Sequence, residues 1–404
     1  MTETLKKYFK GDAVVWAVII SLSLISLLAV YSSTGTLAYK YQHGNTAYYV
    51  LKHFTFQFIG LVIIFATHTI PYKYYSRLSQ LLLLLSIPLL GLTLVFGQNI
   101  NEASRWLTLP GLGFSFQTSD FAKLAVIMFV ARQLSLKQEN IKDFKKTFLP
   151  IIGWVCLVCL LILPANFSTS AILFGAAILL MFVGRISIKH ILLLGAAGIV
   201  FVAILIVMAV YVFHYEGRIQ TWKARVENFI SPKSEENFQV EQAKIAVATG
   251  GIIGKGPGNS VQRNFLPHPY SDFIYSIIIE EYGLVGGVTI LFFYLWLLFR
   301  AGIMVRKSDR TFPAFLAFGL TLILVFQAMV NMAVAVNLFP VTGQPLPMVS
   351  MGRSSMLFSC FALGIILSVS RGNRENETKK EPETEIVTEE QSDPKVNYAV
   401  EINE

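Results

Sequence analysis

Apolar residues in this chain gather in long uninterrupted runs, separated by short polar segments, with little alternation or helical striping. A run of about twenty apolar residues is long enough to cross a bilayer as a helix. Only helices and closed barrels satisfy their backbone groups in hydrocarbon. Ten such runs are predicted as spans, at 13–32, 50–70, 79–97, 119–135, 148–164, 168–184, 189–213, 273–299, 312–335 and 347–369. The fourth and eighth carry charges and stand out least. The first is too long for a cleavable signal peptide and lacks a small-residue cleavage site, so it reads as a membrane helix. The predicted fold class is an all-α polytopic membrane protein.

Charge then orients the spans. With the N-terminus inside, the inner segments hold sixteen Lys and Arg, against only Lys40 and Arg105 in the short outer loops. The positive-inside rule therefore predicts both termini in the cytoplasm. The organisation is a cytoplasmic segment 1–12, a membrane domain 13–370 with a large outer loop at 214–272, and a tail at 371–404. The tail has ten acids, five bases and few apolar residues, the composition of a disordered cytoplasmic extension.

Composition agrees with this picture. The 404 residues are 54% hydrophobic and 14% charged, with a mean hydropathy of +0.57; soluble domains carry about 25% charged residues. The formal net charge of +8 follows from topology and does not imply nucleic acid. Cys156, Cys159 and Cys360 lie within apolar runs and read as packing residues, since redox and zinc sites need polar, accessible surroundings. The six histidines show no metal-ligand spacing.

Four segments carry candidate chemistry. The stretch 265–287, FLPHPYSDFIYSIIIEEYGLVGG, places Asp272 where a loop enters a span and Glu280 and Glu281 inside that span. Ionisable groups at membrane depth are functional candidates by default. On an ideal helix Glu280 lies about 80° around from Asp272 and about 12 Å deeper, with Glu281 on the far side. Asp272 also suits a helix N-cap. In the outer loop, Ile219, Trp222, Val226 and Phe229 form one stripe of an amphipathic helix, lying on the membrane or packed on the spans. Further on, ATGGIIGKGPGNS (248–260) fails the phosphate-loop pattern; it is either a flexible turn or a cradle offering N–H groups and Lys255 to a pyrophosphate.

At 101–129, Arg105 and Trp106 sit in a loop, and Asp120 and Lys123 open a span three residues apart. Either Asp120 and Lys123 neutralise each other, or Arg105 and Lys123 hold a ligand anion. At 337–356, NLFPVTGQPLPMVSMGRSSM breaks the backbone near membrane depth, which is tolerated where it lines a cavity. It contains Gln344 and Arg353.

Together, ASRWL…FQTSDFAK, GGIIGKGPGNS…FLP…SDFIYSIIIEEYGLVG and NLFPVTGQPLPMVSMGRSS resemble the SEDS family (shape, elongation, division and sporulation), over about residues 13–370 and in family order. The resemblance implies ten transmembrane helices and a glycosyltransferase that polymerises lipid II outside the bacterial cytoplasmic membrane. It also implies a class B penicillin-binding protein as partner. The essential loop acid of the family falls on Asp272. Arg105, Lys123, Lys255 and Arg353 are the cations available to the lipid pyrophosphate, with Mg or Mn as a further source of positive charge. Trp106, Asp120, Glu280, Glu281 and Gln344 take supporting roles. The PVTGQPLP run and the charged tail favour the division branch, with septal location and divisome partners, over the elongation branch. The sequence departs from the family at QTSD (117–120), LPHPYSD (266–272), Asn166-Phe167-Ser168-Thr169 and Gly352-Arg353-Ser354-Ser355. A lipid transporter and a partner-activating scaffold are the readings from other functional classes.

Overall fold

The computed structural model describes residues 9–100, 103–108, 115–211 and 238–392. The helices are α1 (Ala13–Ser33), α2 (Gly35–Tyr41), α3 (Thr46–Thr69), α4 (Tyr72–Phe96), α5 (Thr118–Leu136), α6 (Leu149–Ile162), α7 (Phe167–Val183), α8 (Ile188–Tyr211), α9 (Phe238–Gly250), α10 (Ile274–Lys307), α11 (Thr311–Ala335) and α12 (Arg353–Ser392). A helix thus stands at each expected span. Among the described residues, seven helical segments are long and apolar enough to cross a membrane: 13–33, 46–69, 72–96, 144–162, 274–307, 311–335 and 353–375. Phe167–Val183 and Ile188–Gly198 are apolar but shorter. α5 carries Asp120, Lys123 and Arg132 and is not among the seven.

The all-α expectation needs one correction. Strands β1 (Gln98–Ile100), β2 (Ala103–Thr108) and β3 (Ser115–Gln117) form an antiparallel sheet in the order β1-β2-β3. Trp106 pairs with Gln98 on one side and Gln117 on the other. Strands of three to six residues are too short to show a period-two pattern. The amphipathic stripe at 219–229 lies outside the described residues. α12 continues without a break past residue 371 to Ser392. Glu- and Lys-rich sequence propagates helix well once a membrane-anchored segment has nucleated it.

α5 and α11 form the centre of the bundle. From Thr118 to Ala131 nearly every α5 side chain is buried, and most of α11 is buried, as expected of helices that are apolar nearly all round. α12 packs along α3, with Gly60 facing Cys360 and Gly364 facing Thr67. Small residues let membrane helices approach closely where hydrophobicity alone cannot hold them together. Asp12 caps α1, accepting from the Val14 N–H at 2.8 Å, and its second oxygen accepts from the Arg300 guanidinium of α10.

The main irregularity is inside α10, where Gly283 adopts φ +70°, ψ −171°. A regular helix would pair Leu284 N with Glu280 O and Val285 N with Glu281 O. The turn after α9 takes over all four groups. Lys255 N donates to Glu280 O at 3.0 Å and Gly256 N to Glu281 O at 2.9 Å, while Leu284 N donates to Gly251 O at 2.9 Å and Val285 N to Ile252 O at 3.2 Å. The backbones touch: a Cβ on Gly283 would lie 2.1 Å from Ile252 O, and one on Gly254 2.2 Å from Glu281 O. Gly283→Ala is expected to destabilise the protein by about 3 kcal/mol through left-handed strain and overpacking. Gly302→Ala, in the same helix with nothing within 4 Å of its Cβ, should leave the melting temperature in detergent unchanged or slightly raised.

Candidate active site

Three segments meet around Asp272: the loop entering α10, the buried α11 face, and the irregular stretch 340–352. Phe273, not Asp272, occupies the N-cap position of α10, and the Phe273 side chain makes no capping bond. It is half-buried, and Ser271 Oγ donates to its Oδ1 at 3.0 Å. The surrounding backbone is tightly held. Tyr270 O accepts from Met351 N at 2.9 Å, Ser271 O from Ser350 Oγ at 2.6 Å, and Asp272 O from Asn331 Nδ2 at 2.9 Å. Gly343, at φ +64°, faces the carboxylate; a Cβ there would sit 3.6 Å from Asp272 Oδ2. Burial, followed by the neighbouring Tyr49 and the Asp272 charge, pushes the Tyr270 phenol up, so it stays neutral beside the acid. His268 is exposed, its ring edge-on to Tyr270.

A polar network ties this loop to α5. Lys123 Nζ pairs with Asp120 Oδ1 at 2.8 Å and donates to Gln327 Oε1 at 2.7 Å. Gln327 Nε2 donates to Pro345 O at 2.9 Å. Gln344, buried, donates to Thr169 Oγ1 at 2.8 Å, and its own carbonyl accepts from Asn331 Nδ2 at 2.7 Å. Of the two readings of Asp120 and Lys123, the structure thus realises the ion pair. Asp120 Oδ2 is buried without a hydrogen-bond partner, and the residue lines a small cleft with Lys123, Gln327, Ser355 and Ser359.

The glutamates form a separate cluster. Glu280 is fully buried; its carboxylate takes Lys255 Nζ at 2.6 Å, Ser260 Oγ at 2.5 Å, Val261 N at 3.1 Å and Gln262 N at 3.2 Å. Glu281 accepts from Ser32 Oγ and from Ser260 N at 3.3 Å. Lys255 also donates to Thr249 Oγ1 at 2.8 Å, so the glycine turn delivers its cation to Glu280. The kink at Gly283 and the turn bring these groups together, which an ideal-helix projection does not foresee.

Arg353 opens α12 as an exposed residue, 5.9 Å from the Phe56 ring. The next residue, Ser354, accepts from Gln117 N of β3 at 3.3 Å, which brings the sheet bearing Trp106 to the same end of the bundle. The Arg105 backbone lies in β2; its side chain is outside the described residues. Among the described residues no three His, Cys, Asp or Glu gather as metal ligands. Sequence reading missed Gln327, Asn331 and Ser350. The first two are amides four residues apart on one face of an apolar span, a signal that was available.

Chemically, the arrangement offers one accessible carboxylate held by its backbone, an exposed guanidinium on a nearby helix end, and buried ion pairs that hold the frame. Glu280→Ala should release the 255–262 turn and destabilise the protein by about 3 kcal/mol or more, as when one partner of a buried pair is removed. Thermal unfolding and protease sensitivity of that turn measure the effect; native values for both would refute the structural role of Glu280.

Comparison with known proteins places this geometry. A model of the FtsW/RodA/SpoVE family, described as cell cycle protein, matches residues 12–375. The chain is 34% identical over 382 residues to the probable peptidoglycan glycosyltransferase FtsW of Trichlorobacter lovleyi, covering 92% of this chain and 97% of that protein. It is 34% identical over 367 residues to stage V sporulation protein E of Bacillus subtilis, covering 88% and 96%. Among solved structures it is similar in fold to a chain of a peptidoglycan synthase complex, with TM-score 0.67, 24% identity and 90% and 98% of the two chains covered. A second similar fold is the Thermus thermophilus rod shape determining protein RodA, with TM-score 0.66, 22% identity and 90% and 97% covered. With almost the whole membrane domain matched and the polar framework around Asp272 in place, this chain belongs to the FtsW/RodA/SpoVE family of cell cycle proteins.

Proposed function

We propose that this protein is a peptidoglycan glycosyltransferase that polymerises lipid II at the outer face of the bacterial cytoplasmic membrane, with Asp272 as general base. The observation that carries the reading is a half-buried carboxylate whose own carbonyl and the two before it are each held in place. A general base must be held within hydrogen-bond reach of the proton it removes, and a fixed backbone supplies that. In the reaction a sugar hydroxyl of one chain attacks the anomeric carbon of another. Its proton passes to the Asp272 carboxylate as the new C–O bond forms. The bond from the anomeric carbon to the phosphate oxygen breaks, and the lipid pyrophosphate leaves with the electron pair.

The leaving group needs positive charge. Lys123 and Lys255 are already committed to Asp120 and Glu280, so we assign this role to Arg353 and to Arg105. A divalent ion such as Mg or Mn would meet Asp272 as a single carboxylate and take its remaining oxygens from phosphates and water, the usual way Mg²⁺ is held. In a ten-span, N-in and C-in topology the Asp272 end of the bundle lies outside, with the substrate sugars. The apolar faces between helices suit the lipid tail and membrane lipids. A class B penicillin-binding protein is the expected partner, and the FtsW names of similar proteins favour septal synthesis with other divisome proteins over the elongation role.

The test is lipid II polymerisation by the purified protein with its transpeptidase partner. Asp272→Asn should lower the rate by at least about 10²-fold, the usual contribution of a general base, with the melting temperature and partner binding unchanged. Glycan strands made at near-native rate by Asp272→Asn would overturn the assignment. Transport of lipid II by a native protein that makes no strands under any condition would favour a transporter.

A further inference from the structure

We propose that Asn331 is a positioning residue for Asp272, an inference that rests on the general-base reading above. Asn331 lies on α11 and is 1% exposed. Its Nδ2 donates to Asp272 O at 2.9 Å and to Gln344 O at 2.7 Å. Both partners are carbonyl oxygens, which only accept, so the amide can present only its NH₂ group to them. One nitrogen therefore spans two segments: the loop that carries the base, and the stretch whose Gly343 faces the base.

The contact is unlike the two beside it. Met351 N and Ser350 Oγ belong to the irregular stretch itself, so they tie one loop to another. Asn331 ties Asp272 to a helix most of whose residues are buried. One turn earlier on the same face, Gln327 donates from Nε2 to Pro345 O and accepts from Lys123 Nζ at Oε1. Two amides four residues apart thus fix residues 344 and 345, and the second also fixes residue 272.

Packing alone does not account for Asn331. Its Oδ1 is buried without a hydrogen-bond partner, and an orphaned buried acceptor is destabilising. A leucine of similar shape would remove that unpaired acceptor but would leave Asp272 O and Gln344 O without the Asn331 donor. What the amide delivers is the placement of the Asp272 carbonyl. A displacement of about 1 Å at a reacting group can lower a rate 10²-fold.

The experiment compares Asn331→Leu, Asn331→Asp and Asp272→Asn in the full-length protein with its partner, using lipid II as the probe. Asn331→Leu should stay folded with a melting temperature lowered by only a few degrees, while its kcat falls about 10- to 100-fold and KM changes less than about threefold. Asn331→Asp should fall further, because a carboxylate would face two carbonyl oxygens. In an Asp272→Asn background, Asn331→Leu should cost nothing more, since it acts through the missing base. A native kcat for Asn331→Leu, with Asp272→Asn inactive, overturns this inference and leaves the base assignment standing. An active Asp272→Asn overturns the base assignment instead. Where Asn331→Leu does not fold, Asn331→Ala carries the same kcat test, and equal losses in stability and activity with a raised KM would make the residue merely structural.

Discussion

In an apolar bundle every backbone N–H and C=O must find a partner inside the protein, and the break in α10 shows how much follows from that requirement. A left-handed glycine at 283 leaves two carbonyls and two amides without helical partners. A second glycine-rich segment must come close enough to take them, which requires Gly254 as well as Gly283. Once the turn is docked, Lys255 reaches Glu280, and Ser260 with the amides at 261 and 262 closes around the same carboxylate. The two acids that are most conspicuous in the sequence are thus consumed in holding the N-terminal half of α10 to the turn. Asp272, just before that helix, is the acid to which the proposed reading gives the chemistry.

The same logic governs the other side of the site. The stretch 340–352 is irregular at membrane depth, so its carbonyls need donors. Gln327 and Asn331 supply them to residues 345 and 344, while Ser350 of the stretch donates in turn to residue 271. Satisfying these groups and placing the carboxylate are linked, because Asn331, one of the donors that hold the stretch, also holds the Asp272 loop. A buried polar network of this kind is costly when incomplete and rigid when complete. Two of its atoms, Asp120 Oδ2 and Asn331 Oδ1, have no hydrogen-bond partner within the protein.

Much of this was legible before the structure. Long apolar runs marked the helix positions, because the period and length of a membrane span are set by the bilayer and not by tertiary detail. Asp272, Lys123 and Arg353 were legible as charges out of place. The partners of those charges were not legible, since Lys255 meets Glu280 across a kink that no helical projection contains, and Trp106 sits in strands too short to show a period. The sequence of α5 looks least like a span, yet it is among the most buried helices. Hydropathy averages over Asp120 and Lys123, whereas the fold neutralises them against each other and Gln327.

The division of labour among the cations follows from burial. A lysine held by a fully buried glutamate cannot also swing to a pyrophosphate without leaving that charge uncompensated, a penalty far larger than an exposed phosphate contact offsets. Lys255 and Lys123 are therefore poor ligands for a group that must arrive, be displaced and leave in every cycle. Arg353 is exposed, rests on an aromatic face and opens a helix whose N-terminal dipole adds to its charge. A guanidinium also binds phosphate oxygens in pairs without changing protonation. On the proposed reading the site thus separates ion pairs, which set the frame, from an exposed cation and a half-buried carboxylate, to which the substrates are assigned.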